Sequence, residues 1–277
     1  MVHVLLGLYA VLLTYIILGL VIGFNISADI FFDLSFALLF FTIAQSLYEL
    51  RARSALLFIV FASVIGYATE VLGTRTGFPF GTYSYSDLLG PRVLGVPVVV
   101  PLIWFVITYV PLSILWGTFQ HRLEVKNSKM LFSISAFTAF GAMAWDLLVD
   151  PMFTSYGYWS WSAVQPVATP RLSGVPLTNF IGWFVVAFVI TAIRLRFTTA
   201  AKMDSVRSNT YDSIAVYVML LIDGVVANLE LGHYLVVGIG SLAMLAFPIS
   251  SLVYSRKLKL ANQKVIARKS PKSARVE

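Results

Sequence analysis

AWDLLVDPMFTSYGYWSWSAVQPVATPRLSGVPLTNFIGW, residues 144–183, carries the pattern on which the fold turns. An apolar stretch holding Asp146 and Asp150 runs up to Pro151. Proline removes a backbone donor and clashes with the preceding turn, so the helix is expected to end there. Tyr156, Tyr158, Trp159 and Trp161 crowd the loop beyond, and Gly174-Val175-Pro176 leads into a second apolar stretch that starts near Asn179. Apolar helices joined by a long aromatic loop, with carboxylates where the first helix ends, are what a chain crossing a bilayer shows at the membrane boundary.

The same pattern recurs outward in both directions. Of the 277 residues, 58% are hydrophobic and only 12% charged, and the mean hydropathy is +0.84. A water-soluble domain cannot bury that much apolar surface. Apolar runs long enough for a hydrocarbon core of ~30 Å predict spans at 2–24, 30–48, 55–72, 96–119, 130–149, 178–197, 212–229 and 234–254. The first run lacks a basic leader and a small-residue cleavage site, so it reads as a retained helix. The expected fold is all-α, a polytopic membrane bundle of about eight transmembrane helices. Residues 1–255 form one integral membrane domain, and 256–277 a basic, disordered tail.

Basic residues give the expected orientation. Arg51 and Arg53 follow the second span, Arg122, Lys126 and Lys129 the fourth, and Arg194, Arg196, Lys202 and Arg207 the sixth. The tail is Lys- and Arg-rich, whereas the intervening loops hold only Arg75, Arg92 and Arg171. This alternation implies a multi-pass protein of the cell membrane with both termini cytoplasmic. The net charge of +7 is thereby a topology signal and a contact for anionic lipid, not a nucleic-acid footprint. Cysteine is absent, which excludes disulfides and thiol chemistry. The three histidines, His3, His121 and His233, lie near different boundaries, so no metal site is expected.

Residues 91–104 and 170–183 share Pro, Arg, Gly, Val, Pro and Trp in register. Glu70 and the run Pro79-Phe80-Gly81-Thr82-Tyr83-Ser84-Tyr85 precede the first copy. Asp150-Pro151 and Tyr158-Trp159-Ser160-Trp161 precede the second. Each copy reads helix, carboxylate, aromatic loop, Gly-Val-Pro, helix. The reading is a parallel internal repeat, with halves at about 55–119 and 130–197, and a pseudo-twofold axis along the membrane normal.

Asp146 and Asp150 are four apart and share one helix face. The negative end of the helix dipole and the low dielectric both disfavour an ionised carboxylate there, which suits a general acid. Glu70 is placed similarly in the other copy. The plainer alternative is that these carboxylates pair with Arg92 or Arg171 and only hold the loops. Asp223, in the middle of the seventh span, either functions there or makes a neutral hydrogen bond to Asn228 or to another helix. Asp33 reads as an interfacial anchor, and Trp104 and Trp183 as an aromatic belt. Tyr83, Tyr85, Tyr158, Trp159 and Trp161 are denser than a belt needs, and such faces can stack on a polyene or stabilise a cation. No nucleotide-binding glycine loop is present. Carboxylic acids beside aromatic faces suit protonation of an alkene, followed by capture of the cation by water or by an internal alkene. The loose spacing of Asp146 and Asp150 makes diphosphate chemistry the weaker fit.

The run 66–85, GYATEVLGTRTGFPFGTYSY, resembles the CruF-type carotenoid hydratase family. So do Leu89-Gly90-Pro91, Gly95-Val96-Pro97, Trp145-Asp146-Leu147, Asp150-Pro151, Trp159-Ser160-Trp161 and 174–180, GVPLTNF. The resemblance covers about residues 55–197. It implies a carotenoid biosynthesis enzyme, a hydro-lyase that adds water across the terminal C=C of an acyclic ψ-end carotenoid to give a tertiary hydroxyl. It implies no organic or metal cofactor, and a lipophilic carotenoid and other enzymes of carotenoid biosynthesis as partners. On that reading Asp146, Asp150 and Glu70 are the candidate catalytic groups. Tyr83, Tyr85, Tyr158, Trp159, Trp161 and Asn179 are the candidate substrate-binding residues. A carotenoid end-group cyclase and a transporter or pigment-binding protein are the alternatives.

Overall fold

A computed structural model describes residues 2–23, 29–118, 128–165, 168–197 and 210–269. Its helices in chain order are α1 (Val2–Ile22), α2 (Asp29–Glu49), α3 (Ala52–Thr76), α4 (Val100–Thr118), α5 (Ser128–Ser155), α6 (Leu177–Arg196), α7 (Thr210–Glu230) and α8 (Tyr234–Lys269). Six of them carry apolar stretches long enough to cross a membrane; α2 and α4 carry shorter ones at Phe36–Glu49 and Val100–Trp116. The chain is an all-α polytopic bundle, as its hydropathy predicts. α4 and α5 occupy the centre: α5 packs on α4, α6, α7 and α8, and α4 on α2, α3, α5 and α7. From Phe105 to Trp116 α4 is buried on every side, the signature of a helix apolar all round.

Three boundaries differ from expectation. α5 does not stop at Pro151 but runs on to Ser155. Neighbouring helices let a membrane helix keep an internal proline, and here the Asn228 amide of α7 donates to the Leu148 carbonyl at 2.9 Å, beside the carbonyl that loses its partner. α4 begins at Val100 rather than at Val96, because Val96-Pro97 forms a strand. α8 continues past 254 to Lys269, since Lys, Leu, Ala, Gln and Arg are good helix formers; 270–277 lie outside the described residues. So do His121, Lys126, Lys202 and Arg207, and the side chain of Asp33.

Three two-stranded ribbons gather at the end of the bundle where α3 and α5 terminate. β1 (Tyr83–Tyr85) pairs antiparallel with β4 (Trp159–Trp161); β2 (Arg92–Val93) pairs with β3 (Val96–Pro97), and β5 (Arg171–Leu172) with β6 (Val175–Pro176). The last two are the same hairpin built twice. Leu94 and Gly95 take φ 50° and 89°, Ser173 and Gly174 take 45° and 88°. Two consecutive positive φ values make the tight turn that matches strand twist, and glycine supplies the second at no steric cost. Each hairpin is closed alike: Val98 N–H donates to Pro91 O and Leu177 N–H to Pro170 O, both at 3.0 Å.

Small residues set how closely the helices approach. A Cβ added at Gly224 of α7 would lie 2.8 Å from Leu148 Cβ, and one at Gly240 of α8 would lie 2.6 Å from Leu148 Cδ2. Leu148 of α5 is therefore clamped between two glycines. Nearer the far end, Glu49 of α2 is buried and accepts from Tyr109 and Ser113 of α4 and Gln45 of its own helix. Gln45 also donates to Ser213 of α7, so one polar network ties three helices.

Gly240→Val overpacks the Leu148 seat and should cost about 1–3 kcal/mol, read as earlier thermal loss of the monodisperse protein in detergent. Gly238→Ala, where nothing lies within 4 Å, leaves the transition in place or raises it slightly.

Candidate active site

Alternation along the β1–β4 ribbon aims its side chains. Residues in a strand point to opposite faces in turn, so Tyr83 and Tyr85 share one face with Trp159 and Trp161, while Ser84 and Ser160 share the other. The register pairs Tyr83 with Trp161, Ser84 with Ser160 and Tyr85 with Trp159. The serines are exposed, their Oγ atoms 3.3 Å apart. The aromatics stack across the ribbon: Tyr83 on Trp161 with centroids 5.0 Å apart, Tyr85 edge-on to Trp159 at 6.1 Å. Gln165 fastens the ribbon's edge, accepting from Thr82 N–H at 2.6 Å and donating to Thr82 O at 3.0 Å.

Under this ribbon sits Glu70 of α3, buried. Three donors meet its carboxylate. Tyr83 and Tyr85 both donate to Oε2, the latter at 2.7 Å, and Trp104 Nε1 of α4 donates to Oε1 at 3.0 Å. Charge-assisted bonds of this kind are the strong ones. Burial first, and then the Glu70 charge, push both phenols well above their usual value near 10.0, so both remain donors. Trp104 reaches Glu70 because Gly66 opposes it: a Cβ at Gly66 would lie 2.3 Å from the Trp104 ring. The belt reading of Trp104 and Trp183 does not hold. Trp104 is 1% exposed and packs on Trp183 with centroids 5.0 Å apart; the indole N–H has a buried carboxylate to satisfy, which outweighs an interfacial position.

The second group of carboxylates is built from α5 and α6. Asp146 and Asp150 face the first turn of α6, where Asn179 donates to both: to Asp146 Oδ2 at 2.8 Å and to Asp150 Oδ2. All three are buried. The other Asp146 oxygen, Oδ1, has no partner among the described residues. One amide serving two carboxylates brings them close. Two full negative charges at about 4 Å would repel by about 4 kcal/mol at an effective dielectric of ~20.

Glu70, Asp150 and Asn179 open onto one cavity of about 150 Å³. Tyr83, Tyr85, Tyr158, Trp159 and Trp161 line it too, with Trp104, Trp145 and Trp183 deeper in. Apolar residues of α2 and α4, among them Leu38 and Ile107, complete the wall. The candidate site residues read from the sequence are thus assembled around a single space, Asp146 one hydrogen bond behind it. Neither arginine holds the carboxylates: Arg92 pairs with Asp87 and donates to Tyr85 O, and Arg171 donates to Ser162, Ala163 and Gly174 carbonyls. Asp223 lines the same cavity. It is not bonded to Asn228, whose amide donates to Leu148 O and Gly224 O and whose Oδ1 meets His233. Tyr9 of α1 also faces in; no motif marks it, only its hydroxyl in an apolar helix.

An apolar, aromatic cavity inside a polytopic helix bundle, entered by carboxylates from several helices, defines a membrane protein that handles a lipophilic molecule. The sequence profile of the family described as "Carotenoid biosynthesis protein" matches residues 31–247, and the chain belongs to that family. A curated relative, the bisanhydrobacterioruberin hydratase of Haloarcula japonica, is 29% identical over 147 residues, which cover 52% of this chain and 45% of that protein. The chain thus matches somewhat less than half the length of that relative. No solved structure matches it. The resemblance read from the motifs around Glu70, Asp146 and the Gly-Val-Pro turns is borne out.

The absence of native cysteine makes the ribbon directly testable. Ser84→Cys with Ser160→Cys should cross-link on mild oxidation, since directly paired residues have Cα atoms ~5.5 Å apart, and the looped chain should run with altered mobility on a non-reducing gel. Ser84→Cys with Ser162→Cys should not.

Proposed function

We propose that the chain is a carotenoid hydratase, a cofactor-independent hydro-lyase that adds water to the terminal double bond of an acyclic carotenoid end. The observation that carries this reading is the meeting of Glu70 and the Asp150–Asn179–Asp146 group on one apolar, aromatic cavity. The hydratase name of the Haloarcula japonica relative points the same way.

Repulsion between Asp146 and Asp150 favours one proton shared by the pair. That proton passes to the less substituted carbon of the terminal alkene: the π electrons form the new C–H bond and leave a tertiary cation. A water oxygen then forms the C–O bond, and a carboxylate receives the water's surplus proton. Glu70, held by Tyr83, Tyr85 and Trp104, is a fixed anion facing the cation. The cavity aromatics hold the polyene end and stabilise the cation, at ~0.5–2 kcal/mol for each well-placed ring. Donors fixed in advance and aimed where charge develops are the most effective form of such stabilisation.

The membrane supplies the setting. A carotenoid is about as long as a bilayer is thick, so its end reaches the carboxylates near the ribbon while the polyene stays among lipid. Both termini are cytoplasmic in this reading, the cell membrane is the location, and the ribbon lies on the opposite side. The two like-built hairpins and the local twofold of the β1–β4 pairing support an internal duplication, whose halves each contribute carboxylates to one site.

Expression in a host that accumulates an acyclic carotenoid tests the function, with pigments analysed by mass. The wild-type chain should yield a product heavier by one water. Asp146→Asn and Asp150→Asn should lower that product about 10²-fold or more, and Glu70→Gln should lower it as well. Hydroxylated product from all three variants at wild-type amounts would remove the assignment. A product of unchanged mass with a new ring would make the protein a cyclase, and unchanged pigment a carrier.

A further inference from the structure

The proposed hydration leaves one step without an owner. Glu70 is poorly suited to take the proton from water. Its two oxygens already accept three donors, and a protonated Glu70 would set its own hydrogen against one of them. The Asp146–Asp150 pair is the proton's source and is occupied by Asn179. A further carboxylate faces the cavity from the opposite helix.

Asp223 lines the cavity with Glu70, Asp150 and Trp159. Its depth follows from how α5 and α7 pack. Tyr217 donates to Gly141 O, Gly224 seats against Leu148, and Asn228 donates to Leu148 O. The two helices therefore run parallel, and Asp223 lies level with the turn between Asp146 and Asp150. Asp223 makes no hydrogen bond or ion pair among the described residues. Such a group in mid-span is costly unless it serves a function.

A second, independent observation points to the same place. Tyr9 of α1 is 1% exposed, and its hydroxyl has no partner among the described residues. A buried hydroxyl without a hydrogen bond is costly. Tyr9 lines the same cavity, and its helix packs on α7, which carries Asp223. A phenol can donate and accept, and a carboxylate accepts; between them they offer a water molecule the polar contacts that the apolar wall lacks.

We propose that Asp223 is a further catalytic residue, the base that receives the water's proton, and that Tyr9 holds the water beside it. This rests on the hydratase reading. The balance closes. The acid pair gives one proton to carbon, water gives its oxygen to the cation, and Asp223 takes the proton of the resulting oxonium. One water is consumed, no electrons are exchanged, and the proton returns from Asp223 to the pair through solvent before the next turnover. The acid and the base stand on different helices, so protonation and water capture are separable.

Membranes carrying the full chain are supplied with an acyclic carotenoid in D2O, and two quantities are read: hydroxylated product, and deuterium in the recovered alkene. Asp223→Asn should lower product about 10²-fold while deuterium still enters the recovered alkene, because the acid pair can add a deuteron and take back a proton. Asp150→Asn should abolish both. Asp223→Glu should restore about a tenth or more of the product, within the range that a repositioned base retains. Tyr9→Phe should lower product with exchange intact. Chain levels in the membrane are compared throughout. Full product from Asp223→Asn, beside loss in Asp150→Asn, would overturn this assignment and leave the hydratase reading standing. Loss of both product and exchange in Asp223→Asn at normal chain level would also overturn it. No hydroxylated product from the wild-type chain would instead remove the hydratase reading, and this one with it.

Discussion

A carboxylate carried into a bilayer must receive its hydrogen bonds from the protein, since lipid offers none. Glu70 meets that demand with Tyr83, Tyr85 and Trp104, and much of the surrounding architecture is what it takes to bring those three donors together. The tyrosines come from a strand, because only alternate residues of an extended segment present two phenols to one point. The strand needs a partner, and Trp159–Trp161 supplies it. The tryptophan comes from α4, which must approach α3 closely enough for an indole to lie over Gly66. One acceptor thereby ties the end of α3, the ribbon and the central helix.

The carboxylates of α5 are held by a different solution. Asp146 and Asp150 have one shared donor where Glu70 has three. Fewer donors leave the pair less compensated for two charges than Glu70 is for one. Similar helix–loop–hairpin segments thus bring carboxyl groups with unlike sets of partners to one cavity.

The helices were legible because apolar runs of sufficient length admit little else in lipid. The carboxylates were legible because charge in such runs is costly, and Asp146, Asp150 and Glu70 stood out for that reason alone. The hairpins were marked by Gly-Val-Pro, though not as hairpins: the positive φ values of Leu94 and Ser173 fall on residues with no preference for them, and Val96-Pro97 reads as the start of the span 96–119. The helix runs past Pro151 because neighbouring helices support it there, and the Asn228 amide on Leu148 O comes from far along the chain. Trp104 looked interfacial because its acceptor, Glu70, is found only once α3 and α4 are packed. The β1–β4 pairing joins segments far apart in the chain, and three residues of alternating pattern on each side are too short a signal to reveal a partner.

α1 contributes Tyr9 to the cavity wall, yet the segment matched by the family profile begins at residue 31, beyond α1. One wall of the cavity thus comes from a helix outside the segment that the family profile matches. Substitutions in α1 can reshape the space offered to a guest molecule, its width and wetness on that side, without moving Glu70, Asp146, Asp150 or the ribbon above them.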